Sequence, residues 1–292
     1  MAIEKLGGKR VLVTGGFGYV GSQVLAALEA AGIEHLSIDK KHKKTAKALT
    51  VDLCGKESVA AITKFKPDFL VHCGTYSAQA YKTSFFESFK EDFASACNIL
   101  EALSKLPGCR LVCFSSTYVY SGLAGKVTES TPLKPAHNFG VAKSFFEQFF
   151  IRAHPNTVFF RLSSVFGLGN ALNPNAILGM AQECISTGQL TVWGSGKRMM
   201  QYVYMTDVVN QVLASYSIPP GIYNLGSDEY VSVAEAAKKI ADFFKVKVAL
   251  LKDKPEGETL PFMDCSLLKQ ATGLGFTPFK KALPEYLSSI HN

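Results

Sequence analysis

Residues Thr14 to Ser22 read Thr-Gly-Gly-Phe-Gly-Tyr-Val-Gly-Ser and follow directly on the apolar run Val11-Leu12-Val13. A strand that feeds a glycine-rich turn, and a turn that opens a helix near Tyr19, is the feature that most restricts what this chain can become. Gly16, Gly18 and Gly21 satisfy G-x-G-x-x-G, while Gly15, Gly18 and Gly21 satisfy G-x-x-G-x-x-G. Glycine admits positive φ and lets a pyrophosphate approach the backbone. The N–H groups at the helix start then face that anion. Gly15, Phe17, Gly18, Tyr19, Val20 and Gly21 are therefore the candidate cradle of a dinucleotide. Asp39 ends the next apolar segment, Leu36-Ser37-Ile38, where an acceptor for the ribose hydroxyls is expected, with Lys40 beside it.

The first half alternates short apolar strands with helical stretches. Strands are expected at Arg10–Thr14, Leu36–Asp39, Ala48–Val51, Phe69–His72, Arg110–Phe114 and Val158–Arg161, and helices at Tyr19–Ala31, Lys56–Lys64, Phe86–Lys105 and Phe139–Ala153. Such alternation predicts an α/β fold, a doubly wound parallel sheet covered on both faces and open to ligands at the carboxyl ends of its strands. After Gly167 the pattern loosens. A helix is expected over Asn175–Thr187, strands at Leu190–Trp193, Gln201–Tyr204 and Ile222–Leu225, and a helix over Val231–Phe244 opened by a Ser232/Glu235 capping box. With no repeat or low-complexity linker, a smaller C-terminal substrate domain is interleaved with the first. The expected partition is 1–166 plus about 201–228 for the dinucleotide, and 167–200 with 229–292 for the substrate.

Charge and cysteine usage narrow the partners. Net charge is +7, much of it in Lys40-Lys41-His42-Lys43-Lys44. This run reads as a solvated loop. It also follows Asp39 where a 2′-phosphate would lie, so NAD is expected and NADP is the alternative. No aromatic-studded basic sheet accompanies it, which argues against nucleic acid. No apolar run reaches membrane-spanning length and the N-terminus lacks a signal-peptide core, so a cytoplasmic protein with no membrane partner is expected. The seven scattered cysteines read as reduced thiols, and no ligand spacing suggests a metal.

Seven segments in order resemble the extended short-chain dehydrogenase/reductase family, in particular the NAD-dependent nucleotide-sugar epimerases and dehydratases. They are the glycine turn, Asp52-Leu53, Val71-His72-Cys73-Gly74-Thr75, Ser115-Ser116-Thr117-Tyr118-Val119-Tyr120, Arg161-Leu162-Ser163-Ser164-Val165-Phe166-Gly167, Gly194-Ser195-Gly196 through Asp207, and Gly221-Ile222-Tyr223-Asn224-Leu225-Gly226. The resemblance covers essentially the whole chain. It implies that Asp52 and Leu53 meet the adenine, that Cys73, Gly74, Thr75 and Leu162 lie along the cofactor, and that Lys143 binds the nicotinamide ribose. It implies Ser116 as the catalytic hydroxyl, and Ser116, Thr117, Ser164 and Arg198 toward the substrate.

Family chemistry places a tyrosine four residues before the lysine, on one helix face, where the ammonium lowers the phenol pKa and the tyrosinate takes a proton from a sugar hydroxyl. Here Lys143 matches and Phe139 occupies the tyrosine position. Three explanations stand open: a Tyr-to-Phe replacement that traps ligand, an enzyme whose acid/base is another residue, and an inert binding protein of the same fold. Tyr118 is the first substitute, with Tyr120 and His137 behind it. Thr117 and Tyr118 stand where dehydratases carry Asp-Glu, so water elimination ranks behind an epimerase or an NADPH-using 4-keto-sugar reductase. Met200 and Gln201 replace the family's Arg-Asp pair, leaving Arg198 to meet a diphosphate from a shifted loop. Phe145, Phe146, Phe149 and Phe150 exceed one core-facing stripe, and with Phe86–Lys105 beside them they predict a homodimer; burial of both faces within one subunit is the alternative.

Overall fold

The computed structural model describes residues 2–41, 45–169 and 175–291. Strands β1 (Val11–Thr14), β2 (His35–Asp39), β3 (Ala48–Thr50), β4 (Phe69–His72), β5 (Arg110–Ser116), β6 (Thr157–Leu162) and β7 (Gly221–Leu225) form one sheet in the order β7-β6-β5-β4-β1-β2-β3. Every pairing is parallel. Continuous apolar runs make these strands: β1 and β4 are buried at all four positions, as a sheet covered on both faces requires. The strand order reverses between β1 and β4, and the crevice at that switch point opens above Thr14 and His72.

Helices α1 (Tyr19–Ala30), α2 (Glu57–Phe65), α3 (Ala78–Thr83), α4 (Phe85–Ser104) and α5 (Asn138–Ala153) fill the first half, followed by α6 (Ala176–Thr187), α7 (Met205–Ala214), α8 (Val233–Phe244), α9 (Ser266–Thr272) and α10 (Phe279–His291). Alternate strand residues divide the core. Val11, Val13, Val71 and Phe160 pack on Val24 and Leu28 of α1 and on Val208 and Val212 of α7. Leu12, Leu70, Leu111 and Phe159 pack on Ile62 of α2, Ile99 of α4 and Phe146 and Phe150 of α5. A separate cluster joins α6, α8 and α10 through Ala181, Ile240 and Leu283.

The expected elements are present, with ends shifted by one or two residues. β5 runs on to Ser116, because Ser115 and Ser116 pair with Arg161 and Leu162. Val231 and Ser232 leave the expected helix to pair with Met200 and Met199, and Ser232 then caps α8 by accepting from the Glu235 N–H. Helix α7 was not foreseen. Thr206, Asp207, Asn210 and Gln211 recur at helical spacing, yet eight of its ten residues are buried, with Asp207 and Gln211 among them. Leu268 of α9, with Ala271 and Phe276, packs on the main sheet's core rather than on the C-terminal cluster.

Two strand pairs bring later segments to the carboxyl edge of the sheet. Ser164–Phe166 runs parallel to Tyr202–Tyr204, and Gln189–Trp193 parallel to Lys247–Leu251. On the far side, α4 and α5 meet through phenylalanines. Phe89 lies 5.5 Å from both Phe145 and Phe146, and Phe93 lies 5.3 Å from Phe149. Phe86, Phe93 and Phe145 nevertheless remain exposed.

Candidate active site

Close packing constrains both glycine patterns of the turn. Gly15 adopts φ +67°, and a Cβ there would come within 2.5 Å of the Gly74 nitrogen. A Cβ at Gly21 would lie 2.3 Å from the Gly15 oxygen. The spacing Gly15, Gly18, Gly21 therefore shapes the turn, while Gly16 is confined by Ser37. Gly18 starts α1 without a side-chain cap, so the first N–H groups of the helix are left to a ligand. Phe17 is exposed at the turn's tip, and Val20 packs against the core. Tyr19 donates to the Gly167 carbonyl at 2.9 Å, tying this turn to the segment that follows Ser164.

Asp39 closes the turn. Its Oδ2 accepts from Phe17 N at 3.0 Å and its Oδ1 from Lys41 N at 2.8 Å, which fixes the carboxylate at the tip of β2. Lys40 turns away, donating to the Tyr76 hydroxyl and pairing with Glu91. His42, Lys43 and Lys44 of the basic run lie outside the described residues. Asp52 is exposed and accepts from Cys54 N, while Leu53 is buried against Gly74. Cys73, Gly74 and Thr75 continue from β4, and Cys73 N donates to the Thr14 carbonyl, which locks them beside the turn. These residues form a trough whose floor is backbone and whose two glycines leave no room for a side chain. Such a trough fits a dinucleotide.

Next along the edge stand the chemistry-bearing residues. Ser116 ends β5, and its Oγ accepts from Tyr118 N at 3.3 Å. Lys143, on the second turn of α5, is buried and donates to Thr75 Oγ1 at 3.1 Å. Burial holds its pKa below the ordinary lysine value, and Asp92 opposes that shift. Its ammonium lies 5.4 Å from the Phe139 ring centroid. Phe139 packs edge-on to Tyr81 at 5.5 Å and to Tyr118 at 5.9 Å. Beneath them, burial and then the Lys143 charge push His72 down to about 3, and its Nδ1 pairs with Thr14 Oγ1 at 2.7 Å, so it stays neutral.

The three substitutes for the missing phenol separate cleanly. Tyr120 is buried and donates to the Thr128 carbonyl and to Asn224 Oδ1, a structural role. His137 is exposed and paired with Glu258 at 2.5 Å. Tyr118 lines a cleft of about 840 Å³, together with Ser116, Thr117, Leu162 and Ser164.

That cleft runs from the ends of β5 and β6 to α6 and the 191–202 segment. Arg198 lines it, with its loop fastened by Glu256 Oε1 accepting from the Arg198 N–H at 2.7 Å and its guanidinium donating to the Glu258 carbonyl. Gln201 acts as an internal clip, donating to the Ser227 and Met263 carbonyls. Three further lining residues were not singled out from the sequence. Trp193 is 57% exposed, and the hydroxyls of Ser163 and Tyr202 are buried with no partner among the described residues. Burial pushes the Tyr202 phenol up to about 12. Only Trp193 carried a signal, as the single tryptophan in the chain at the end of an expected strand.

The profile of the NAD dependent epimerase/dehydratase family matches residues 11–226. The spore coat polysaccharide biosynthesis protein SpsK of Bacillus subtilis is 26% identical, with 95% of this chain and 96% of that protein covered. The dTDP-D-glucose 4,6-dehydratase of Homo sapiens is 24% identical, covering 97% and 91%. Among solved structures, MoeE5 in complex with UDP-glucose and NAD superposes with a TM-score of 0.84 at 19% identity, covering 97% and 98%.

Proposed function

The chain belongs to the NAD dependent epimerase/dehydratase family, and on that premise we propose that it is an NAD-binding oxidoreductase or epimerase acting on a nucleotide-linked sugar through a keto intermediate. The observation that carries this is continuity. The glycine trough ends at Thr75 and Lys143, its Tyr19 hydroxyl accepts from Asn175 of the cleft wall at 3.0 Å, and the cleft extends from Ser116 to an exposed indole and an arginine. When bound, NAD supplies a hydride acceptor beside Lys143. Gly15, Gly18 and Gly21 hold its pyrophosphate and Asp39 its adenosine ribose, a carboxylate that disfavours a 2′-phosphate. Ser116 offers its hydroxyl hydrogen to the sugar oxygen. The orphaned Ser163 and Tyr202 hydroxyls take polar groups of the substrate. Arg198 meets the diphosphate, and Trp193 stacks on the base. Residues 1–166 with about 201–228 hold the cofactor and lend Ser116, Ser163 and Tyr202 to the substrate, whose remaining contacts come from 167–200 with 229–292.

The single tryptophan makes the test direct. Titrating the protein with UDP-, dTDP- and GDP-sugars in the presence of NAD should quench its fluorescence for the matching nucleotide. Trp193→Ala, read by calorimetry because it removes the reporter, should weaken that nucleotide about tenfold, the size of one base stacked on an aromatic ring. Fluorescence unchanged by every nucleoside diphosphate would overturn the substrate assignment.

Phe139 supports a second reading, a dinucleotide-binding protein of the same fold without turnover, because a phenyl ring transfers no proton. It predicts cofactor affinity that no sugar alters.

The exposed Phe86, Phe93 and Phe145 face supports a homodimer built on α4 and α5. Phe145→Glu should convert a dimer to a monomer in light scattering; an unchanged mass would place the interface elsewhere. Seven free thiols fit a reducing cytoplasm, and among the described residues no helix is long and apolar enough to cross a membrane.

A further inference from the structure

Lys143 is a buried cation with no phenol beside it. A buried charge without a counter-charge is costly, and a phenyl ring offers only its quadrupole. The groups facing the ammonium come from every neighbouring element. Thr75 accepts its hydrogen bond. His72 of β4 and Cys113 of β5 line the same small void and are held neutral by burial, one pushed far down and the other well up. Glu147, one turn along α5, is committed to Arg161. There remains Asp92 of α4, which lines the same void and is 4% exposed; burial raises its carboxyl and the Lys143 charge pulls it back toward the ionised form. Its carboxylate accepts from Tyr76 N at 3.1 Å and from the Tyr81 hydroxyl at 2.8 Å, both neutral donors. The Tyr81 ring in turn packs against Phe139.

We propose that Asp92 is a positioning residue that supplies the counter-charge of Lys143, so that Phe139, Tyr81, Asp92 and Lys143 form one co-adapted unit in which the ammonium is neutralised from α4 rather than by a phenolate. The unit rests on the cofactor-site assignment only for its purpose, not for its electrostatics. It implies that restoring a tyrosine at 139 does not by itself restore the phenol's acidity. With Asp92 charged, Lys143 has little potential left to stabilise a phenolate. Without that charge, the ammonium acts on the phenol in full.

The experiment needs neither cofactor nor turnover. Phe139→Tyr introduces one phenol, and its ionisation is read as tyrosinate absorbance by difference from the parent protein. Phe139→Tyr/Asp92→Asn keeps an acceptor for the Tyr76 N–H and Tyr81 O–H but removes the charge. The phenol's midpoint should fall by about one pH unit or more in the double variant, a size typical of a cation whose screening is lifted. Equal midpoints would overturn the proposal. A second measurement covers poor folding of that variant. Lys143→Met should lower the melting temperature by orphaning Asp92, and Lys143→Met/Asp92→Asn should recover most of the loss; no recovery would overturn the proposal as well. Either failure leaves the nucleotide-sugar reading standing, since that reading is tested separately by the Trp193 titration.

Discussion

Phe139→Tyr is expected to raise turnover about a hundredfold or more on the matching activated sugar, the scale of one positioned proton-transfer group. Position 139 sits on the first turn of α5, four residues before Lys143, with the ammonium 5.4 Å from the ring centroid. The Phe139 ring packs edge-on against Tyr118, which lines the cleft, so a hydroxyl added to it stands next to that wall. The parent chain retains Ser116 to bind the sugar oxygen and Lys143 to bind ribose, so it orients a substrate that it is slow to deprotonate. The gain should be larger with Asp92→Asn, because the phenol is then the more acidic. Reduced-nicotinamide absorbance under saturating substrate measures the rate. Tyr118→Phe is the necessary control. Were the parent already fast, and were Tyr118→Phe to abolish that rate while Phe139→Tyr left it unchanged, the proton-transfer role would belong to Tyr118.

Why the cofactor half of this site was legible in the sequence, and the substrate half less so, follows from how each is built. The dinucleotide trough is a local object. Thr14 to Ser22 contains its own strand end, turn and helix start, and Asp39 meets the turn through the next strand in sequence. Backbone conformation restricts residue type strongly there, as the Gly15–Gly74 contact shows. The substrate cleft is assembled from segments far apart in sequence, including Ser116, Asn175, Trp193, Arg198 and Leu260. No spacing rule relates them. Gln201 illustrates the difficulty: it stands where the resembled family carries the Asp of an Arg-Asp pair and lines the cleft, yet its amide is spent holding Ser227 and Met263. Asp92 escaped notice for another reason. An acidic residue on a helix amid Lys90 and Glu91 looks solvated in the sequence, and only the packing of α4 on α5 turns it inward.

Removing Glu147 should cost about 3–5 kcal/mol of stability, the range for breaking one side of a buried ion pair. Glu147 is fully buried and Arg161 is 3% exposed. The pair is bidentate, with Arg161 Nε donating to Oε1 at 2.9 Å and Nη2 to Oε2 at 2.7 Å. The third guanidinium nitrogen donates to the Tyr120 hydroxyl, which continues to Thr128 and Asn224. One network thus joins α5, β6, β7 and the turn after Ser116. Glu147→Ala leaves an uncompensated cation inside it, and the melting temperature should fall on the order of 10 °C. Glu147→Met/Arg161→Met removes both charges and should cost markedly less than the single change, because the penalty comes mostly from the orphaned guanidinium rather than from lost attraction. A single variant within about 1 kcal/mol of the parent would mean that water reaches Arg161, and that the anchor of α5 lies elsewhere. The outcome bears on the site directly: Glu147 is one turn beyond Lys143, so the same helix segment that this pair clamps to β6 also carries the ammonium to Thr75 and sets Phe139 against Tyr118.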